Sequence, residues 1–165
     1  MGKLTKEDII LFFLEDPYKL ATEIWEGNVP KSDEIRILLC ELGDPWCVYN
    51  YVEQVDRRPT DETRTVVCKS YAYWYASEID KKPTDETRTA ACKTPQCAYW
   101  YARDIDKKST DETRTATCKD HGYAYCYAKD IDKEPTDETR ESASKEPMFK
   151  DWYEQWEKEC SLKKI

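Results

Sequence analysis

Apolar positions along the chain fall into short helical stripes behind polar caps, and the stripes recur. Ile35, Leu38 and Leu39 stand at i, i+3 and i+4 behind Ser32-Asp33-Glu34, the spacing of one face of an amphipathic helix. Thr63, Val66 and Val67 hold the same places behind Thr60-Asp61-Glu62, and Thr87, Ala90 and Ala91 behind Thr84-Asp85-Glu86. A Ser or Thr at the N-cap satisfies an orphan amide, and the acids that follow complement the positive end of the helix dipole. Pro59, Pro83 and Pro135 stand just before these caps, where proline blocks extension of the preceding helix. Between these stripes lies a second: Ala72, Tyr75, Ala76 and Ile79 share a face, with Tyr73 flanking it. Alanine lets helices approach closely, while the tyrosines supply buried area and need a partner for each hydroxyl.

Self-comparison turns the stripes into a repeat. Thr-Asp-Glu-Thr-Arg begins at Thr60, Thr84, Thr110 and Thr136, with a degenerate copy at Ser32. Eight residues into each copy stand Cys40, Cys68, Cys92 and Cys118, and Ser144 in the last. The second block reads Tyr49-Asn50-Tyr51, Tyr73-Trp74-Tyr75, Tyr99-Trp100-Tyr101 and Tyr125-Cys126-Tyr127. Two helices of about ten residues cannot bury such faces alone, so successive pairs must stack. The expected fold is all-α: an α-solenoid of about five two-helix repeats of 24–28 residues, in one domain. Residues 1–31 would form an N-terminal cap and first degenerate unit, 32–146 the repeats and 147–165 a capping helix. Thr5-Lys6-Glu7-Asp8 reads as a capping box ahead of Ile9 to Leu14. Pro147 opens the closing helix, with Trp152 and Trp156 at i and i+4 expected to face inward.

The Tyr-Ala-x-x-Tyr-Ala block followed by Pro-Thr-Asp-Glu-Thr-Arg resembles short two-helix tandem repeats that occur in multiple copies in bacteriophage and bacterial proteins. The resemblance covers about residues 44–146. It implies the repeat architecture and brings no activity or catalytic residue with it.

Composition alone points elsewhere. Leu, Ile, Val and Phe number only 26 of 165, and 36% of residues are charged, a balance that leans towards disorder. The repeat reverses that inference, because 12 Tyr and 6 Trp, with Ala and Cys, carry the apolar load once per unit. No apolar run approaches the roughly 18 residues of a membrane span. Ile9 to Leu14 is too short for a secretory core, so the expected location is cytoplasmic, with eight cysteines as reduced thiols. Met1-Gly2 departs from the myristoylation pattern, since Lys6 stands where Ser or Thr is wanted.

Catalytic and metal chemistry find little support. Cys118 and His121 have C-x-x-H spacing, with Cys126 beyond and Cys92 and Cys97 one unit earlier, and zinc needs four such ligands converging. Yet Cys92 and Cys118 share their repeat position with Cys40 and Cys68, which have no nearby histidine. Small buried thiols packing on a neighbouring helix are the preferred reading. His121 is the only histidine, read as lying in a loop beside Gly122, and no nucleophile elbow, phosphate loop or HExxH accompanies it. Neither catalytic residues, metal nor cofactor are expected. Arg64, Arg88, Arg114 and Arg140 share a period with Asp56, Asp80, Asp106 and Asp132. They read as an Asp–Arg ladder of exposed pairs, each contributing about 0–1 kcal/mol.

Binding is therefore the expected role, most simply that of a non-enzymatic protein-binding scaffold. The candidate contacts are Trp74 and Trp100, which lie between the two tyrosines of the core face and should turn outward, and the acidic caps Asp61, Glu62, Asp85, Glu86, Asp111 and Glu112. The alternatives are an acidic inhibitor or nucleic-acid mimic acting on a host nucleic-acid-processing or defence enzyme, and a self-assembling structural protein. Residues 1–58 hold seven Lys/Arg against twelve Asp/Glu, a net charge of -5, of the chain's -8. A duplex mimic needs sustained negative charge, whereas Lys81-Lys82 and Lys107-Lys108 interrupt the caps. Direct nucleic-acid binding is not expected without a basic stripe.

Overall fold

Short helices with hydroxyl or carboxylate caps are what the sequence dictates, and they are what forms. The computed structural model describes residues 3–162, which hold twelve α-helices and no strand; Gly2 lies outside the described residues. The protein has an all-α helical-repeat fold. No helix among the described residues is long and apolar enough to cross a membrane. The chain divides into two compact units, one ending at Thr87 and one beginning at Arg88.

The first unit contains α1 (Lys6–Glu15), α2 (Pro17–Trp25), α3 (Asp33–Leu42), α4 (Pro45–Tyr51), α5 (Asp61–Val67) and α6 (Ala72–Trp74). Thr5 and Asp8 form the expected capping box of α1. Its core is largely aliphatic: Ile9, Leu20, Ile24, Val29, Leu39, Val48 and Val52 are fully buried with Tyr51 and Tyr75. Helix α7 (Asp85–Ala91) carries the division between the units. The second unit contains α8 (Pro95–Trp100), α9 (Asp111–Thr117), α10 (His121–Tyr127), α11 (Asp137–Ala143) and α12 (Pro147–Leu162). Tyrosine and alanine dominate its core: Tyr101, Tyr127 and Tyr153 are buried with Ala98, Ala102, Ala124, Ala128 and Ala143.

The first helices of the regular repeats have seven residues, shorter than the expected ten. The second helices begin as α and end as π-helical turns, at Val52–Asp56, Tyr75–Asp80, Tyr101–Asp106 and Ala128–Asp132. A π turn closes i→i+5 hydrogen bonds, as when the Arg57 amide donates to the Val52 carbonyl at 2.7 Å. Each ends on a residue in the left-handed region: Arg57, Lys81, Lys107 and Lys133, with φ of 57°, 53°, 54° and 59°.

Within each pair, a buried tyrosine fixes the register. Thr63 is fully buried at N3 of α5, and its hydroxyl lies 2.6 Å from that of Tyr75. Thr113 meets Tyr127 at 2.7 Å and Thr139 meets Tyr153 at 2.8 Å. The Thr110 and Thr136 amides donate to the same two tyrosine oxygens at 3.2 Å. Tyr51 has no threonine and uses the Ser32 amide instead, at 3.0 Å. For Tyr51, Tyr75, Tyr127 and Tyr153 the partner the buried hydroxyl needs is thus the first turn of the preceding helix.

Two expectations change. The buried residue of the closing helix is Tyr153, with Trp156 half-buried and Trp152 48% exposed; the Tyr51, Tyr75, Tyr101, Tyr127 register continues into α12 in place of a tryptophan face. His121 and Gly122 occupy the first turn of α10, where Asp120 caps the helix. A Cβ on Gly122 would meet the tip of the Phe149 ring at 2.9 Å, so glycine there lets that ring pack against the helix start and is not a loop signal.

Tyr127→Phe removes the oxygen shared by Thr110 and Thr113. It is expected to cost about 1–3 kcal/mol in urea unfolding, the cost of buried polar groups left without a partner. Tyr123→Phe, outside that node, is expected to stay within about 0.5 kcal/mol. At the left-handed positions, Lys107→Gly is expected to raise stability by about 0.5–1 kcal/mol, because glycine avoids the Cβ clash there at some entropic cost.

Candidate binding surface

The recurring arginines and aspartates do pair, in three of the two-helix units as buried forks. Arg64 Nε and Nη2 each lie 2.9 Å from the Asp80 carboxylate. Arg88 engages Asp106 at 2.9 and 2.8 Å, and Arg114 engages Asp132 at 3.1 and 2.9 Å. The Asp80 and Asp106 side chains are fully buried and the Arg64 side chain is 13% exposed. Exposed pairs would carry little weight; burial of the carboxylates overturns that expectation. Bonds to Asp80 and Asp132 push the Arg64 and Arg114 guanidinium pKa upward. Bidentate arginine–carboxylate pairing fixes geometry as well as charge. Successive units within each body are tied by different rungs: Thr65 donates to Glu86 at 3.1 Å, Thr89 to Glu112 at 2.8 Å and Thr115 to Glu138 at 2.9 Å.

Those rungs account for several of the acidic candidates. Glu86 and Glu112 accept them, while Asp61 and Asp111 turn back to Arg64 and Arg114 at 2.7 and 3.4 Å. Bonds from its own amide and from Thr60 hold the Glu62 carboxyl below its usual range. Asp85 sits in the first turn of α7. The acidic rims are therefore exposed parts of the frame. Of the two tryptophans, Trp74 is 42% exposed, its ring edge-on to Tyr73 at 4.9 Å. Trp100 is half-buried against the cluster of Tyr99, Ala102 and Tyr127. Asn50 at the same repeat position is buried and donates to the Trp46 carbonyl at 2.7 Å. The outward turn expected of this position is realised at Trp74 and lost where neighbouring aromatics close over it.

The eight cysteines are free thiols. Burial pushes the Cys92 and Cys118 thiols up to about 12, which opposes the thiolate that zinc requires. Among the described residues, no three His, Cys, Asp or Glu side chains gather as a metal set.

A further surface lies outside the two repeat blocks. In the first unit, Pro17, Tyr18, Asp44, Pro45, Trp46 and Tyr71 line an open groove of about 530 Å³. Trp46 lies 5.4 Å from Tyr71 and stacks on Tyr49 at 6.1 Å, centroid to centroid. Tyr18 is 76% exposed and Trp46 37%. The signal was present in the sequence: Asp16-Pro17-Tyr18 recurs as Asp44-Pro45-Trp46, an N-cap, a proline at N1 and an aromatic at N2.

Fold and surface together define an all-α helical-repeat protein. Searches against protein-family models, curated proteins and solved structures find no match.

Arg64→Ala leaves Asp80 buried without its fork and is expected to cost about 3–5 kcal/mol in chemical denaturation. The double variant Arg64→Met with Asp80→Leu is expected to recover most of that loss, because buried ion pairs are replaceable by packed apolar groups.

Proposed function

We propose that the protein is a non-enzymatic, cytoplasmic protein-binding scaffold of helical repeats. The observation that carries the reading is Trp74, a large apolar side chain 42% exposed and braced by Tyr73. Tryptophan concentrates binding energy at interaction hot spots, and a braced ring loses little freedom when it is covered. The resemblance to bacteriophage and bacterial repeats agrees with a small module whose frame is constant and whose outward positions vary. Free thiols throughout agree with a reducing compartment.

The test is a pull-down from native host cells followed by affinity measurement. A partner bound with little salt dependence, and weakened at least about tenfold by Trp74→Ala, supports the scaffold. Trp100→Ala tests the half-buried neighbour position, and its effect on binding is expected to be smaller. Strong salt dependence with competition by DNA supports the acidic inhibitor instead. Concentration-dependent self-assembly without a partner supports the structural role.

A further inference from the structure

The groove at the start of α2, α4 and α6 has an occupant chemistry of its own. Asp44 is the one charged side chain among its lining residues, and no Lys or Arg lines it. Elsewhere the protein covers ring faces with its own cations: Arg103 lies 5.3 Å from the Tyr99 centroid, Lys129 5.7 Å from Tyr125 and Lys19 4.5 Å from Phe12. Among the described residues no such cation lies over Tyr18, Trp46 or Tyr71. The helix starts do not recruit an anion, because the Asp16 and Asp44 carboxylates already accept the Tyr18 and Cys47 amides, at 2.9 and 2.8 Å. Pro17 and Pro45 remove further donors. The surrounding segment 1–58 carries a net charge of -5.

We propose that this groove seats an arginine side chain from an extended basic segment of a protein partner. Guanidinium stacks on aromatic faces and pairs with carboxylate at once, and Tyr18, Trp46 and Tyr71 with Asp44 offer both. The volume falls in the roughly 300–1,000 Å³ range of ligand sites, which leaves room for the flanking backbone. The site goes beyond the scaffold reading and uses none of the Trp74 surface, so either can fail without the other.

The probe is a blocked pentapeptide with central arginine, titrated into the full chain at low salt and followed by the Trp46 indole NMR signal. Citrulline and glutamate counterparts serve as the neutral and acidic arms. Saturable arginine binding is expected, with the citrulline peptide at least about fivefold weaker and the glutamate peptide weaker still, the scale of an aromatic–cation contact joined to an ion pair. Asp44→Asn keeps the helix cap and removes the charge, and should weaken arginine binding about fivefold or more. Tyr18→Ala, at an exposed position, should do the same, with unchanged far-ultraviolet circular dichroism confirming the fold of both variants. Equal binding of citrulline, preference for glutamate, indifference to both substitutions, or no arginine binding at 10 mM would each overturn the proposal.

Discussion

Everything regular in this protein depends on a hydroxyl pair buried between two short helices. Tyr75 and Thr63, Tyr127 and Thr113, and Tyr153 and Thr139 lie 2.6 to 2.8 Å apart with both residues buried. A phenol that large buries area that an aliphatic-poor sequence cannot otherwise supply. Its oxygen must then be satisfied, because an unpaired buried hydroxyl is destabilising. The threonine at N3 does this while also holding its own cap: the Thr63 hydroxyl lies 3.0 Å from the Thr60 carbonyl. One contact thereby sets the depth of the second helix, the start of the first and the register between them.

The π turns follow from the same geometry. The spacing from the buried tyrosine to the buried aspartate is five residues in Tyr51–Asp56, Tyr75–Asp80, Tyr101–Asp106 and Tyr127–Asp132. In the Tyr75 and Tyr127 copies both side chains must reach the preceding helix, the tyrosine at its N3 threonine and the aspartate at its arginine. A wider i→i+5 turn accommodates five residues where an α turn suits four. The last repeat supplies the control. Helix α12 stays α-helical, and there the acidic partner of Arg140 is Glu157, four residues after Tyr153, at 2.6 Å. A shorter spacing is matched by a longer side chain, and the π turn disappears with the Ile-Asp ending that accompanies it in the other late copies.

Local periodicity made the repeat legible. The caps Thr60, Thr110 and Thr136, the buried faces through Val66 and Val67, and the alternation of helices all follow from spacing rules that act within about ten residues. The π turns were not legible, because Ala-Ser-Glu-Ile-Asp reads as ordinary helix until the position of its arginine partner is known. The weight of the ion pairs was hidden for a related reason: charge periodicity gives partners, while burial depends on packing between helices. Trp74 and Trp100 show the limit most clearly. Their local sequences match, Tyr-Trp-Tyr-Ala in both, yet one ring is exposed and the other is half-buried against Tyr99 and Tyr127.

The two units solve the burial problem with different residues, and this bears on where binding specificity can reside. The first has an aliphatic core through Ile9, Leu20, Ile24, Leu39 and Val48, so its aromatic residues are not all required inside; Tyr18 and Trp46 remain at the surface. In the second, Tyr99, Tyr123, Tyr125 and Trp156 pack around the small alanines that the repeat leaves there. Aromatic rings committed to a core cannot also serve a partner. A chain that builds its later repeats from tyrosine and alanine therefore concentrates its uncommitted rings where leucine, isoleucine and valine have released them, which is in the more acidic N-terminal part. Aromatic surface and negative charge coincide there, and a basic, arginine-bearing partner is the chemistry that uses both.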